Sequence, residues 1–302
     1  MVAIKAVALT TVAVLALARA ASAADLLPPP PAIEPPPPPI EAGGWYLRGD
    51  VGVGFNNSVS ASTSPSALNF LPSGTTGTDN FYNSSLSEAA LFDVGVGYQV
   101  NNWFRADVTG ELRGGSSFSG LEVVNVQNGN SSSPQFSDFY RGSVSSEIAL
   151  VNAYFDMGTW YGITPYVGGG VGVAFNNFYG GTDNGIAGTG FSVSPAGGIL
   201  GAGTQTNLAW ALMAGLDMRV TRHLKFEIGY RYLDYGNFKS GTSQCLTGNG
   251  AGGSFSGAYC TGGGYTLASH NLSSNDVRIG LRYYFDTDVA EAPPEAPIVR
   301  KY

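Results

Sequence analysis

The chain has 302 residues, of which only 12% are charged, and it carries 43 glycines, 16 tyrosines and 16 phenylalanines. Soluble domains hold about 25% charged residues, so much of this surface has to be something other than a charged face in water. The formal net charge of −7 argues against nucleic-acid partners, and beyond the first two dozen residues no apolar run is long enough to cross a bilayer as a helix, which excludes a helical membrane protein.

The first residues read as an export signal. Lys5 precedes an apolar run from Ala6 to Ala18, and the small residues Ala21, Ser22 and Ala23 then form an A-x-A cleavage site. The run falls short of the roughly 20 residues of a spanning helix, and Arg19 interrupts its end. Cleavage after Ala23 removes Lys5 and Arg19 and makes the mature chain more acidic. The segment 24–43 is dense in proline between Pro28 and Pro39. It lacks backbone donors for a sheet and favours extended polyproline II geometry, as a semi-rigid periplasmic spacer would.

From Trp45 onward, period-two segments of about ten residues recur, the length of strands crossing a bilayer at a tilt. The first, Trp45 to Phe55, puts Leu47, Val51, Val53 and Phe55 on one face and Tyr46, Arg48 and Asp50 on the other. The second, Ala90 to Val100, turns Phe92, Val94, Val96 and Tyr98 outward and Asp93 and Gln99 inward. In the third, Phe104, Ala106, Val108, Gly110 and Leu112 alternate with Arg105, Asp107, Thr109, Glu111 and Arg113. No such strand sits in a dry core on both faces. The fourth, about Glu147 to Phe155, has ambiguous parity, because Ile148, Leu150, Val151 and Phe155 share a face only with a bulge. Pro165 to Phe175, Leu208 to Val220, Leu224 to Tyr232 and Asp276 to Phe285 complete the set.

The expectation is an all-β fold: an eight-stranded antiparallel transmembrane β-barrel over 44–286, with a C-terminal tail at 287–302. Three connections, at Asn101-Asn102, about Gly158 to Thr164 and about Thr221 to His223, are short, and the other four are long and rich in Gly, Ser, Thr and Asn. That asymmetry predicts periplasmic turns, four long extracellular loops and both chain ends in the periplasm of a Gram-negative cell. The run Val51-Gly52-Val53-Gly54-Phe55-Asn56-Asn57 recurs as Val171-Gly172-Val173-Ala174-Phe175-Asn176-Asn177, which is open to descent from one four-strand unit or to convergence on a glycine-rich pattern.

The inward faces carry Arg48, Arg105, Arg113, Arg219, Lys225, Arg231, Arg278 and Arg282 against Asp50, Asp93, Asp107, Glu111, Glu147, Asp217, Glu227 and Asp276. Equal numbers of each sign predict a lumen plugged by ion pairs, since an eight-stranded barrel is just wide enough to be filled by side chains. A diffusion pore needs about 16 to 18 strands; a narrow, gated ion path through a rearranged pair network is the alternative.

Chemistry at isolated residues is sparse. Cys245 and Cys260 both fall in the last long loop and are expected to form one disulfide after export. His223 reads as a solvated turn residue, and Ser269-His270 near the outer rim is the one place where a hydrolase site has residues to use, yet adjacency in sequence does not make a nucleophile and base. The cysteine and histidine spacing lacks a zinc pattern. The Gly168–Gly172 cluster lies within a strand with no helix after it, so it is no phosphate loop. No enzymatic activity, cofactor or metal is expected.

Arg278-Ile279-Gly280-Leu281-Arg282-Tyr283-Tyr284-Phe285 ends in a glycine followed by alternating aromatics. With Glu227-Ile228-Gly229-Tyr230-Arg231-Tyr232 and the run from Pro165 to Gly172, it resembles the small OmpA-like barrel proteins of alphaproteobacteria, which include surface antigens and opacity-type proteins. The resemblance covers about Trp45 to Phe285. It implies outer-membrane lipid, lipopolysaccharide and the outer-membrane assembly machinery as partners, with Gly280, Tyr283 and Phe285 as the assembly signal. Two departures stand out: a tail from Asp286 to Tyr302 follows that signal, and it leaves no room for a peptidoglycan-binding domain. A structural, envelope-integrity role with loops that meet host surfaces or phage is the expected function; small-solute transport is the alternative.

Overall fold

The computed structural model describes residues 43–70, 76–128, 131–187, 197–246 and 264–285. Thirteen strands form among them: β1 (Gly44–Asn56), β2 (Ser60–Ser64), β3 (Thr76–Leu86), β4 (Ala89–Gln99), β5 (Phe104–Asn128), β6 (Ser131–Asp156), β7 (Ile163–Ala187), β8 (Gly197–Leu200), β9 (Gly203–Arg219), β10 (Leu224–Gly236), β11 (Ser243–Leu246), β12 (Thr266–His270) and β13 (Leu272–Tyr284). Eight of them close a ring of antiparallel pairs in the order β1, β4, β5, β6, β7, β9, β10, β13 and back to β1. Closure leaves no edge along the wall, so the backbone donors and acceptors of every spanning strand are paired without water.

Polar side chains complete the short turns. Asn101 Oδ1 accepts from the Trp103 and Phe104 amides at 3.0 and 2.8 Å, which folds the chain back from β4 into β5. Thr221 Oγ1 does the same for the His223 and Leu224 amides between β9 and β10. Between β6 and β7, Gly158, Tyr161 and Gly162 take positive φ.

The fold is inverted relative to a soluble protein. Arginines, aspartates and glutamates are buried, while Trp45, Leu47, Val51, Val53, Phe55, Phe92, Val94, Val96, Val108, Leu112, Val151, Phe155, Leu212, Ile279 and Leu281 stand on the outer surface. From Trp45 to Phe55 the rise of about 3.3 Å per residue, at a tilt near 40°, gives a belt about 25 Å tall. Such a belt has lipid as its solvent, and the barrel spans a membrane. Trp45, Trp103 and Trp160 crown the belt at the short-turn end, each more than half exposed, where amphipathic rings sit at the lipid–water boundary.

One expectation is corrected here and another is refined. The parity of β6 needs no bulge within the belt: Ser146, Ile148, Leu150, Asn152, Tyr154 and Asp156 are buried, whereas Val151 and Phe155 face lipid. Ile148 and Leu150 point inward as the register partners of Glu111 and Thr109, so the β6 side of the lumen is apolar at the level where its neighbours are charged. Nor are the long connections plain loops. The β5–β6 ladder continues to Asn128↔Ser131, β7 runs 25 residues, and β3 pairs with the outer part of β5. β8 and β11 extend β7, and β2 pairs with β12 as a separate two-stranded sheet. Val124, Phe118 and Phe178 supply buried apolar positions beyond the belt, and the ladder satisfies backbone groups that an open loop would leave to water.

Candidate functional site

Register builds the lumen. The pairs Asp217↔Glu227, Glu227↔Gly280, Gly280↔Asp50, Asp50↔Asp93 and Asp93↔Glu111 trace one row across six strands, five of them giving a carboxylate and one a glycine. Like charges directly opposed across strands repel. The row is tolerable because guanidiniums stand two residues away along the strands, at Arg48 and Arg282 toward the short-turn end and at Arg113 and Arg278 toward the loop end. The i, i+2 alternation of sign thus becomes alternating charged layers around the barrel.

Every buried guanidinium but that of Arg278 is shared between carboxylates. Arg48 contacts Asp50 at 2.8 Å, Asp107 at 3.1 Å and Glu227 at 3.3 Å, and donates to Tyr154 Oη at 2.7 Å. Arg278 meets Asp93 at 2.7 Å. Arg282 meets Asp217 at 2.7 Å and also pairs with Glu227, to which Tyr166 donates as well. Arg105 holds Asp156 at 3.0 Å and lies over the rings of Tyr154 and Tyr166, 4.3 and 4.6 Å from their centroids. Nearer the loops, Arg113 contacts Glu111 and Asp276 at 3.1 and 2.8 Å, and Arg231 pairs with Asp276 at 2.6 Å and with Glu111.

Three of the sixteen expected network residues lie elsewhere. Glu147 is exposed on the outer face, since β6 turns its even-numbered residues inward; Arg219 is exposed at the short-turn end; Lys225 is half-buried there, its ammonium 5.0 Å from the Tyr284 ring. Asp156, Gln99 and Asn152 join the buried set instead. Asp156 was legible in principle, by counting the β6 parity from Ile148. The buried lumen is therefore not neutral by residue count: Arg48, Arg105, Arg113, Arg231, Arg278 and Arg282 face Asp50, Asp93, Asp107, Glu111, Asp156, Asp217, Glu227 and Asp276. Inward glycines make the space. A Cβ at Gly280 would strike the Asp50 carboxylate, and one at Gly97 would strike the Tyr46 ring.

Above the charged layers the lumen is shut by apolar groups. Phe238 packs edge-on against Phe118 and stacks on Phe178, both at 5.2 Å, with Leu200, Leu267 and Leu272 fully buried beside them. Beyond this lid lies a layer that strand periodicity does not announce. Glu122, 0% exposed, accepts hydrogen bonds from Thr63 Oγ1 at 2.7 Å and Tyr140 Oη at 2.8 Å. Glu122 is the register partner of Asp138, and Tyr140 that of Asp183, to which Tyr265 donates. Burial, with Asp79 nearby, pushes the Glu122 carboxyl up to about 9. Burial, followed by Asp183 and Asp79, raises Asp138 to about 8, and burial raises Asp183 to about 6 against the pull of the Tyr265 hydroxyl. The signal for this layer, alternation within Leu121-Glu122-Val123-Val124, sits in a segment whose composition reads as loop.

The remaining singled-out residues separate. Ser269 is buried and its Oγ accepts from the Phe238 amide at 2.9 Å, while the exposed His270 ring meets Ser62 Oγ at 3.3 Å. The adjacent Ser and His therefore face different neighbours and do not meet as nucleophile and base. His223 stacks on Tyr283 at 5.9 Å. Gly280 lies in the lumen wall, and Tyr283 and Phe285 stand outward with rings 5.7 Å apart. The repeat runs sit on β1 and β7, four steps apart in the ring, and both feed the same tyrosine: Tyr235 donates to Asn56 Oδ1, and Asn176 donates to the Tyr235 carbonyl. Cys260 lies outside the described residues, and with it the pairing to Cys245, as do the cleavage site at Ala21 and Ala23, the proline spacer and the C-terminal tail.

These features define a membrane-spanning eight-stranded β-barrel with a filled lumen and a built superstructure at one end. The chain is 31% identical over 286 residues to an uncharacterized protein of Brucella suis biovar 1, covering 88% of this chain and 93% of that protein. An uncharacterized Brucella abortus protein matches at 31% over 283 residues with the same coverage, and the chain belongs to the family of these Brucella proteins. A Rickettsia prowazekii protein described as a candidate adhesin is 24% identical, over 78% of this chain and 87% of its own length. No family model matches the chain. Among solved structures, the outer membrane protein OprG of Pseudomonas aeruginosa aligns with a TM-score of 0.43 at 16% identity, covering 81% of this chain and 97% of its own. Neisserial surface protein A aligns at 0.39 and 15%, over 81% and 100%.

Proposed function

We propose that the protein is an outer-membrane anchor that presents its loop-end superstructure outside the cell. The short turns and both ends of the barrel segment lie in the periplasm. An apolar belt, short turns at one end and long excursions at the other support this orientation. The observation that carries the reading is the contrast between the two halves of the molecule: a lumen closed by shared ion pairs and the Phe118, Phe178 and Phe238 lid, and strands extended well past the belt into a folded platform. The barrel contributes to the envelope through its lipid-facing wall, in contact with outer-membrane lipid and lipopolysaccharide. Gly280, Tyr283 and Phe285 serve its recognition by the assembly machinery. Contact with host surfaces or phage belongs to the platform, a reading that the description of the Rickettsia relative favours.

Purified protein in planar lipid bilayers is expected to give no stable single-channel current, and a cysteine placed at Thr76, exposed on β3, is expected to react with a membrane-impermeant maleimide on intact cells. A steady conductance would overturn the closed lumen. Labelling only after the outer membrane is permeabilised would overturn the orientation.

A further inference from the structure

A groove of about 550 Å³ opens on the platform between β2 and β3, within the range of small-ligand sites. On the β3 wall, Asp79, Phe81 and Ser84 share one side of the strand, although 81 to 84 is an odd step. The register slips between Tyr82 and Ser85, and Asn83 takes a φ of 52°, so the bulge re-aims Ser84 into line with Phe81. The Asp79 carboxylate is fixed by its Oδ2, which accepts from Ser66 Oγ at 2.6 Å and the Ala67 amide at 3.2 Å. The Phe81 ring is backed by Tyr140 at 5.6 Å.

Two buried polar atoms on this lining have no hydrogen-bond partner among the described residues, Asp79 Oδ1 and Ser84 Oγ. Both atoms are closed to solvent, so a visitor meets them by turning the Asp79 carboxylate and the Ser84 hydroxyl toward the groove, and the hydrogen bonds it supplies offset the cost of leaving them unpaired. The visitor has to donate to a carboxylate oxygen and exchange a hydrogen bond with a hydroxyl. It also has to lay an apolar face beside a ring and reach the amides of Asn80 and Asn83. Among the described residues no lysine or arginine lines the groove, which rules against phosphate or sulfate groups. A pyranose ring has this pattern, with hydroxyls around its edge and a C–H face.

We propose that the groove between β2 and β3 binds a neutral saccharide, with Asp79 and Ser84 taking its hydroxyls and Phe81 its C–H face. The proposal rests on the platform being the working surface, but its test does not depend on orientation, because both faces are open in nanodiscs. Full-length protein in phosphatidylcholine nanodiscs, free of sugar detergents, is titrated with lactose, maltose and N,N′-diacetylchitobiose by isothermal calorimetry. At least one is expected to bind saturably. Ser84→Ala should weaken it about fivefold and Asp79→Asn about tenfold, as for loss of one neutral and one charge-assisted hydrogen bond, while Ser85→Ala, on the other side of β3, leaves it unchanged. Heat-modifiable migration in gels verifies the fold of each variant, and Ser84→Ala stands as the test where Asp79→Asn fails to fold. No saturable binding by any of the three sugars overturns the proposal, as does equal affinity in the folded variants, or binding of an oligolysine peptide in their place.

Discussion

The surplus of carboxylates over guanidiniums in the buried lumen makes the two signs unequal in their effect on stability. Arg48 and Asp50 are bonded to each other at 2.8 Å and both are under 5% exposed, yet their removal has different consequences. Arg48→Met takes from Asp50 the one guanidinium that it pairs with among the described residues, and removes one donor each from Asp107 and Glu227. Removing one member of a buried charge set costs about 3–5 kcal/mol. Asp50→Asn keeps an acceptor for Arg48, which retains Asp107 and Glu227, and relieves the repulsion between Asp50 and its register partner Asp93, so the expected loss is below about 1 kcal/mol. With a urea slope of about 2 kcal/mol per molar, the arginine variant should shift the unfolding midpoint of the barrel in micelles by about 2 M and the aspartate variant by less than about 0.5 M. Equal shifts would refute the reasoning, since they would mean the pair acts as an isolated bridge rather than as part of a network short of cations.

Three other outcomes are expected. Val94→Arg, at the middle of the lipid-facing belt, should cost about 2–4 kcal/mol in the same assay, and a neutral effect would contradict the placement of the belt. Gly97→Ala should destabilise, because its Cβ meets the Tyr46 ring and displaces the Tyr46 hydroxyl from Asp107 at 3.0 Å, whereas Gly110→Ala, with open space around it, should be neutral. The carboxyl of Glu122 keeps its proton in the folded platform up to about pH 9 against an ordinary value of 4.5. Its contribution is therefore complete below about pH 4.5 and declines as pH rises from there toward 9, because only the unfolded chain ionises. Platform unfolding followed at pH 5, 7 and 9 should show that decline, and Glu122→Gln should make it shallower, the remainder coming from Asp138 and Asp183; an identical slope in the variant would exclude Glu122 as a source.

The eight spanning strands were legible because lipid and lumen impose a two-residue period, as in Phe104 to Arg113, and because Asn101 and Thr221 mark tight turns. Thirteen of the sixteen side chains that the same parity turned inward are buried. Glu147 was misplaced, because Ile148 and Leu150 look outward to a reader who assumes polar inward residues on every strand. The platform escaped notice because Gly, Ser and Asn have weak strand preference; what holds β5 and β6 together beyond the belt is their ladder and the burial of Phe118, Val124 and Tyr140 against distant segments.

Alternation of apolar and charged side chains by itself determined that this chain forms a barrel, which strands span it and, β6 apart, which faces meet lipid. Alternation is a local property, dictated by the opposite directions of successive side chains. Which arginine meets which carboxylate, the shortage of cations in the lumen, and the meeting of β2 with β12 and of Glu122 with Thr63 were decided only by tertiary structure. Those contacts depend on the stagger of strands around a closed ring and on residues far apart in the chain, and no period along the sequence encodes them.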